Sequence, residues 1–407
     1  MVERLDATAD FTCVLEVERL VLPSAATRRF RSREAARLEV SVVDGRELFA
    51  WPGDAFEERP LTDLLGPGLA STGEFSSHGR TTFTDSRTRI ERIAEAPAPG
   101  RAAYRYAVDQ AASRYALVTE ADNVLAAYQG VFHVDEETAQ VTYFEVRVPQ
   151  PPPQTGLARI ANTVEYQQVD VGGRSTWLPS EARIEVESLQ GPVARNQLAF
   201  RSCRSYQTET TIRFGTARED AAQASGGGAA AVVIPAGIDL RITLRDTLSS
   251  DRAWAGDRFR AELYKAVELP GGERIPKGAE VLGRVVGLRT IGATEELSMQ
   301  DQLRRSTTIT LRLSEIRWAE GCAPVNATLE LVERIPQMAR SSPGGRVDTN
   351  GRFKSGNRAI AYETDPEMSD PGSGSFVVLG ESYLIREGAR MQWKTVPADA
   401  TAACSDR

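Results

Sequence analysis

The chain has 407 residues, 41% of them hydrophobic, and a formal charge of -7 in which both signs are well mixed. That length allows two or three domains with sizeable cores, while the composition excludes a disordered or collagen-like chain. No basic face invites nucleic acid, and lysine occurs only at Lys265, Lys277, Lys354 and Lys394, so neither a phosphate loop ending in Gly-Lys nor a Schiff-base site can be built before Lys265.

The start, "MVERLDATADFTCVLEVERL", has no basic segment followed by an apolar one, and no apolar run in the chain reaches the roughly 18 residues needed to cross a bilayer. It reads as a first strand carrying Cys13. "RRFRSREAAR" from Arg28 and "LTDLLGPG" from Leu61 read as short helices. Between and after them the hydrophobic period is two: "RLEVSVV" from Arg37, "AYRYAVD" from Ala103, "SRYALVT" from Ser113, "AAYQGVFHV" from Ala126 and "QVTYFEVRV" from Gln140. "NTVEYQQVDV" from Asn162, "SEARIEVES" from Ser180, "NQLAFRSC" from Asn196 and "YQTETTIRF" from Tyr206 continue it. Alternation rich in Val, Tyr, Phe and Thr means strands with one buried face. "VDEET" at Val134 and "VGGRS" at Val171 are turns between them, and "QPPPQ" at Gln150 separates two hairpins, so a long antiparallel meander is expected.

Aperiodic "GTAREDAAQASGGGAAA" marks a linker over 215–231 between domains 1–214 and 232–407. Beyond it the strand pattern resumes in "AGDRFRAELYKAVEL" from Ala255, "AEVLGRVVGLR" from Ala279, "TTITLRLSEIRW" from Thr307, "APVNATLELVERI" from Ala323, "SFVVLG" from Ser375 and "ARMQWKTV" from Ala389. Two inserts interrupt it: a short helix expected in "TIGATEELSMQDQLRRS" from Thr290, and a polar, glycine-rich stretch from Gln337. Ile-Pro-x-Gly occurs at Ile234, Pro235 and Gly237 and again at Ile275, Pro276 and Gly278; a degraded copy keeps Ile385 and Gly388. Proline presets the φ of a tight turn and glycine takes the conformation that strains other residues, so each copy reads as an apolar anchor, a corner and a strand start. Three such corners predict a small β-barrel.

Cys13, Cys203, Cys322 and Cys404 allow three pairings, with four buried free thiols as the alternative; joining Cys13 to Cys203 and Cys322 to Cys404 would tie the ends of each domain together. That pairing implies an oxidising compartment, periplasmic or extracellular, with the signal peptide absent from the chain as given. Catalytic signals are sparse. His78 reads as a loop residue and His133 as a strand end, neither in a triad frame, and no metal-ligand spacing or cofactor motif is present. Trp51, Trp177, Trp254, Trp318 and Trp393 read as core or rim packing, with Trp51 and Phe56 in a turn-rich segment as candidates for the mouth of a ligand groove.

Two resemblances extend this reading. "IPAG", "DTLSSDRAWAGDRFRAEL" and "IPKGAEVLGRV" resemble the β-barrel domain of TrbI-type channel components of type IV secretion, over about 234–396, without that family's membrane anchor or pore-lining helix. "VVDGRELFAWPG", "SRYALVTEADNVLAAYQGVFHVDEETAQVTYFEV" and "STWLPSEARIEV" resemble the LolA-like periplasmic lipoprotein carriers, whose curved sheet has helices on its concave side. Together they imply a mainly β chain: an N-terminal curved antiparallel half-barrel with a few short helices, then the small barrel. They also imply a non-enzymatic envelope protein that binds a lipid or lipoprotein and meets an envelope partner, or itself, through the barrel. A carboxylate-dependent hydrolase of envelope polymers and a purely structural oligomer are the alternatives.

Overall fold

The computed structural model describes residues 11–27, 30–43, 46–66, 68–70, 82–83, 87–118, 123–171, 173–205, 232–292, 306–333, 353–355, 358–360, 363–364, 372–379, 383–397 and 404. The chain is mainly β and divides into two compact units, Met1–Gln207 and Thr208–Arg407. The expected linker over 215–231, the strand from Tyr206 and most of both later inserts lie outside the described residues.

Unit 1 contains β1 (Phe11–Leu22), β2 (Ser32–Val43), β3 (Arg46–Ala50), α1 (Thr62–Leu65), β4 (Arg89–Ile93), β5 (Arg101–Val108), β6 (Ala116–Val118) and β7 (Asn123–Leu125). It continues through β8 (Tyr128–Asp135), β9 (Val141–Val148), β10 (Leu157–Val171), β11 (Arg174–Ser188) and β12 (Val193–Ser205). One antiparallel sheet runs β3–β2–β1–β12–β11–β10–β9–β8–β5–β4, and β6 and β7 form a separate hairpin. The period of two sets which side chains face inward. Leu15, Val17, Leu38 and Val40 are buried, whereas Glu16 and Glu18 face out.

The helix expected from Arg28 is instead the first half of β2, because its charges alternate against those of β1. Arg33 bonds Glu18, and Arg37 meets Glu16 at 3.1 Å, while Ala36 and Leu38 turn inward. Partner-strand charges outweigh helical spacing here, an ordinary cross-strand effect. The turns follow the sequence closely. Asp135 accepts from the Thr138 N–H and hydroxyl, both at 2.8 Å, and Gly173, at φ 79°, donates to Asp170 Oδ1 at 2.8 Å. Cys13 and Cys203 are disulfide-bonded, joining the first strand to the last.

Unit 2 contains β13 (Asp239–Leu244), β14 (Leu248–Ser249), β15 (Arg258–Leu263), β16 (Val267–Glu268), β17 (Arg274–Ile275), β18 (Glu280–Ile291), β19 (Ser306–Trp318), β20 (Gly321–Pro324) and β21 (Ala327–Val332). After these come β22 (Phe353–Ser355), β23 (Arg358–Ile360), β24 (Glu363–Thr364), β25 (Gly374–Leu379), β26 (Leu384–Ile385) and β27 (Arg390–Thr395). The order is β21–β27–β13–β15–β18–β19–β25–β24, with β20 beside the end of β19. The sheet rolls until Gly374 of β25 lies against Leu329 of β21, where an added Cβ would stand 2.0 Å from the Leu329 Cβ. The two ends of that order, β21 and the β25–β24 pair, therefore pack against each other. The sheet's interior is apolar, with Leu240, Ile242, Val281, Leu311, Met391 and Trp393 essentially inaccessible. Cys322 is bonded to Cys404.

The repeated corner has one geometry. Gly237, Gly278 and Gly388, at φ 88°, 84° and 88°, each donate a 2.8 Å bond to the carbonyl of Thr395, Leu263 and Leu244 respectively. The N–H of each of those residues returns a bond to the residue after the glycine: Ile238, Ala279 and Ala389. Ile234, Ile275 and Ile385 are buried as anchors. A fourth corner, at Gly256, repeats the pair of bonds with Val285 and Asp257, with Ala253 in the anchor's place. In all four the third residue after glycine, Leu240, Phe259, Val281 or Met391, is buried. These clips fasten both ends of the β15–β18 pair, and both ends of the β13–β27 pair.

Candidate ligand-binding face

One face of unit 1 is lined by aromatic side chains at alternate positions. β5 supplies Tyr104 and Tyr106, β8 Tyr128 and Phe132, and β9 Phe144. Register sets Tyr104 opposite Phe132, and Phe132 opposite Phe144. Their rings pack at centroid distances of 5.1 Å for Tyr104–Phe132 and 5.3 Å for Tyr106–Phe144, both stacked, and Phe83 meets Phe132 edge-on at 4.9 Å. Tyr106, Phe132 and Phe144 are buried, whereas Tyr104, Tyr115, Phe83 and Tyr166 form a half-buried rim. Tyr106 stands opposite Gly130 and its hydroxyl donates across it to the Glu145 carbonyl at 2.7 Å. A Cβ at Gly130 would stand 1.8 Å from that oxygen, so glycine is required by close approach. Burial, then the neighbouring Tyr128 and Tyr115, hold the Tyr106 hydroxyl protonated well above its usual range.

A second set of residues runs across the same face. Glu34 of β2 pairs with Arg19 of β1, Arg19 with Asn196 of β12, Asn196 with Ile184 of β11, Ile184 with Asn162 of β10, and Asn162 with Val146 of β9. Two of its members hold the segment around α1 onto the sheet. Arg19 donates to the Leu65 carbonyl at 2.7 Å and meets Glu34 at 3.3 Å, and Asn196 donates to the Leu69 carbonyl at 2.7 Å. The carbonyls at the end of a helix need such donors when buried. Asn162 differs: it is 1% exposed, and among the described residues neither its amide nitrogen nor its amide oxygen has a partner. Thr142, at the irregular pairing of β8 with β9, is 4% exposed and its hydroxyl is also unpartnered among the described residues.

Trp51 is buried and Phe56 half-buried just beyond β3, at the far end of the sheet; neither is among the side chains packed in the aromatic group. His133 stacks on Tyr143 at 4.8 Å, its pKa lowered by burial and then by Arg101. His78 lies outside the described residues. The aromatic set and Asn162 were missed in the sequence, although Tyr104, Tyr106, Tyr128, Phe132 and Phe144 share one parity, and that was the signal to follow. The buried carboxylates Glu145 and Glu315 each meet the arginine two residues on, at 2.6 Å. Asp135, Glu185, Asp246, Asp251 and Glu333 are all held below the ordinary carboxylate range, the opposite of what a general acid needs. Among the described residues no group of His, Cys, Asp or Glu is placed to hold a metal, and no helix is long and apolar enough to cross a membrane.

These features define a mainly β chain of two units, each closed by a disulfide, with an apolar, aromatic sheet face on the first. The chain matches no protein family, no curated protein and no solved structure.

Proposed function

We propose that the chain is a non-enzymatic protein of the bacterial envelope, periplasmic or secreted, whose unit 1 binds a lipid or a lipoprotein acyl chain and whose unit 2 is an assembly or interaction module. One observation carries the reading: the face built by β5, β8, β9 and β10 is aromatic and aliphatic, its rim is half-exposed, and among the described residues it bears no carboxylate, lysine or arginine. Such a surface favours hydrocarbon, with each buried methylene contributing about 0.8 kcal/mol. The disulfides fit an oxidising compartment, and the resemblance of unit 1 to lipoprotein carriers and of unit 2 to secretion-channel barrels agrees with it. Native mass spectrometry of the full chain after incubation with mixed bacterial lipids tests the proposal. A retained acyl-chain adduct that is lost in Phe144→Asp, with Trp51→Phe unaffected, is the expected result; failure of any lipid to bind defeats it.

A further inference from the structure

Resting on that reading, we propose that Asn162 recognises the head of the ligand, and that this head is uncharged and offers both a hydrogen-bond donor and an acceptor, as in the hydroxyl-and-ester head of a monoacylglycerol.

Among the described residues both atoms of the Asn162 amide lack partners, at 1% exposure. The strand neighbours on its own face are Ile160 and Val164, and the residues opposite are Val146 and Ile184, all apolar and all buried. Leaving an amide in such surroundings without hydrogen bonds costs roughly 1 to 3 kcal/mol, and a leucine of similar volume would remove that cost. A group kept at such a cost is a candidate for work done only when something is bound. Its place fits that work: Ile160 and Val146 belong to the aromatic core that would hold the hydrocarbon, and Asn162 lies beside them. An amide presents one donating and one accepting side, so it complements a head that does the same.

Charge excludes the common anionic heads. Among the described residues the cation on this face is Arg19, three strands away across β11 and β12, roughly 14 Å at ordinary strand spacing. It is already committed to Glu34 and to the Leu65 carbonyl. A carboxylate or phosphate at Asn162 would be desolvated with no counter-charge.

The test measures binding of three compounds of equal chain length, a monoacylglycerol, a fatty acid at alkaline pH and an alkane, to the full chain and to Asn162→Leu. Wild type should prefer the monoacylglycerol about tenfold over each of the others, the effect of roughly one net hydrogen bond. Asn162→Leu should melt no lower than wild type, bind the alkane as before and lose the preference. Equal binding of all three by wild type, or tighter binding of the fatty acid, overturns the head assignment without use of a variant. A preference that survives in Asn162→Leu also overturns it and makes the amide a seat for internal water only. Binding of none of the three defeats the underlying reading instead.

Discussion

Gly130 and Tyr106 act together: the ring covers a glycine, and the hydroxyl satisfies a carbonyl on the next strand. Gly130→Ala drives a methyl group into that carbonyl and should lower stability by about 2 to 3 kcal/mol in urea unfolding. Tyr106→Phe removes the hydrogen bond alone and should cost about 1 kcal/mol. An alanine variant as stable as wild type would mean that the strands part easily there. In sequence, Gly130 is an unremarked residue within "AAYQGVFHV"; its necessity arises from a carbonyl 15 positions later, which periodicity cannot show. Asn162 illustrates the same limit. Its inward parity with Val164 and Tyr166 is legible, but whether a buried amide finds a partner depends on the strands alongside.

At the scale of elements the corners are the most legible feature and the best test. Gly237, Gly278 and Gly388 have positive φ and nothing within 4 Å of an added Cβ, so alanine there meets backbone strain without a clash. Each Gly→Ala change should cost a similar amount, about 1 to 2 kcal/mol. Widely different costs would show that the corners are not equivalent. Ile-Pro-x-Gly revealed two of them and Ile385 with Gly388 a third; the fourth escaped because Ala253 replaces the isoleucine, leaving Gly256 and Phe259 as the trace. The segment at Arg28 misled for the converse reason, since its charges match a partner strand that local spacing cannot reveal. Between β13 and β15, Asp246 accepts from the Arg260 side chain and N–H, which together hold its pKa below the ordinary carboxylate range. A carboxyl depressed in the folded state stabilises fully above its unfolded pKa and ceases to do so as pH falls through the folded value. Acidification from pH 5 to about pH 3 should therefore lower the unfolding midpoint of unit 2, and Asp246→Asn should reduce that slope. The effect is small because Asp246 is only half-buried and its partner Arg260 is exposed to solvent screening, and an unchanged slope would contradict the assignment.

For the whole molecule, each unit is closed by its own disulfide, Cys13–Cys203 spanning 190 positions and Cys322–Cys404 spanning 82. Loops of that length correspond to about 5 kcal/mol each as an upper bound from chain entropy. Reduction should lower both thermal transitions, while Cys13→Ser with Cys203→Ser should lower only that of unit 1. A transition unmoved by loss of its disulfide would contradict the chain-entropy account. The disulfide pairing was legible from cysteines near the ends of the two strand-rich regions. The proposed face was not, because alternation within each strand does not show how the rings of neighbouring strands meet. Hydrogen exchange of the full chain with and without a monoacylglycerol tests that face most directly. Slowed exchange confined to β5, β8, β9 and β10 is the predicted result; no change in those strands, or protection only within 232–397, would contradict it.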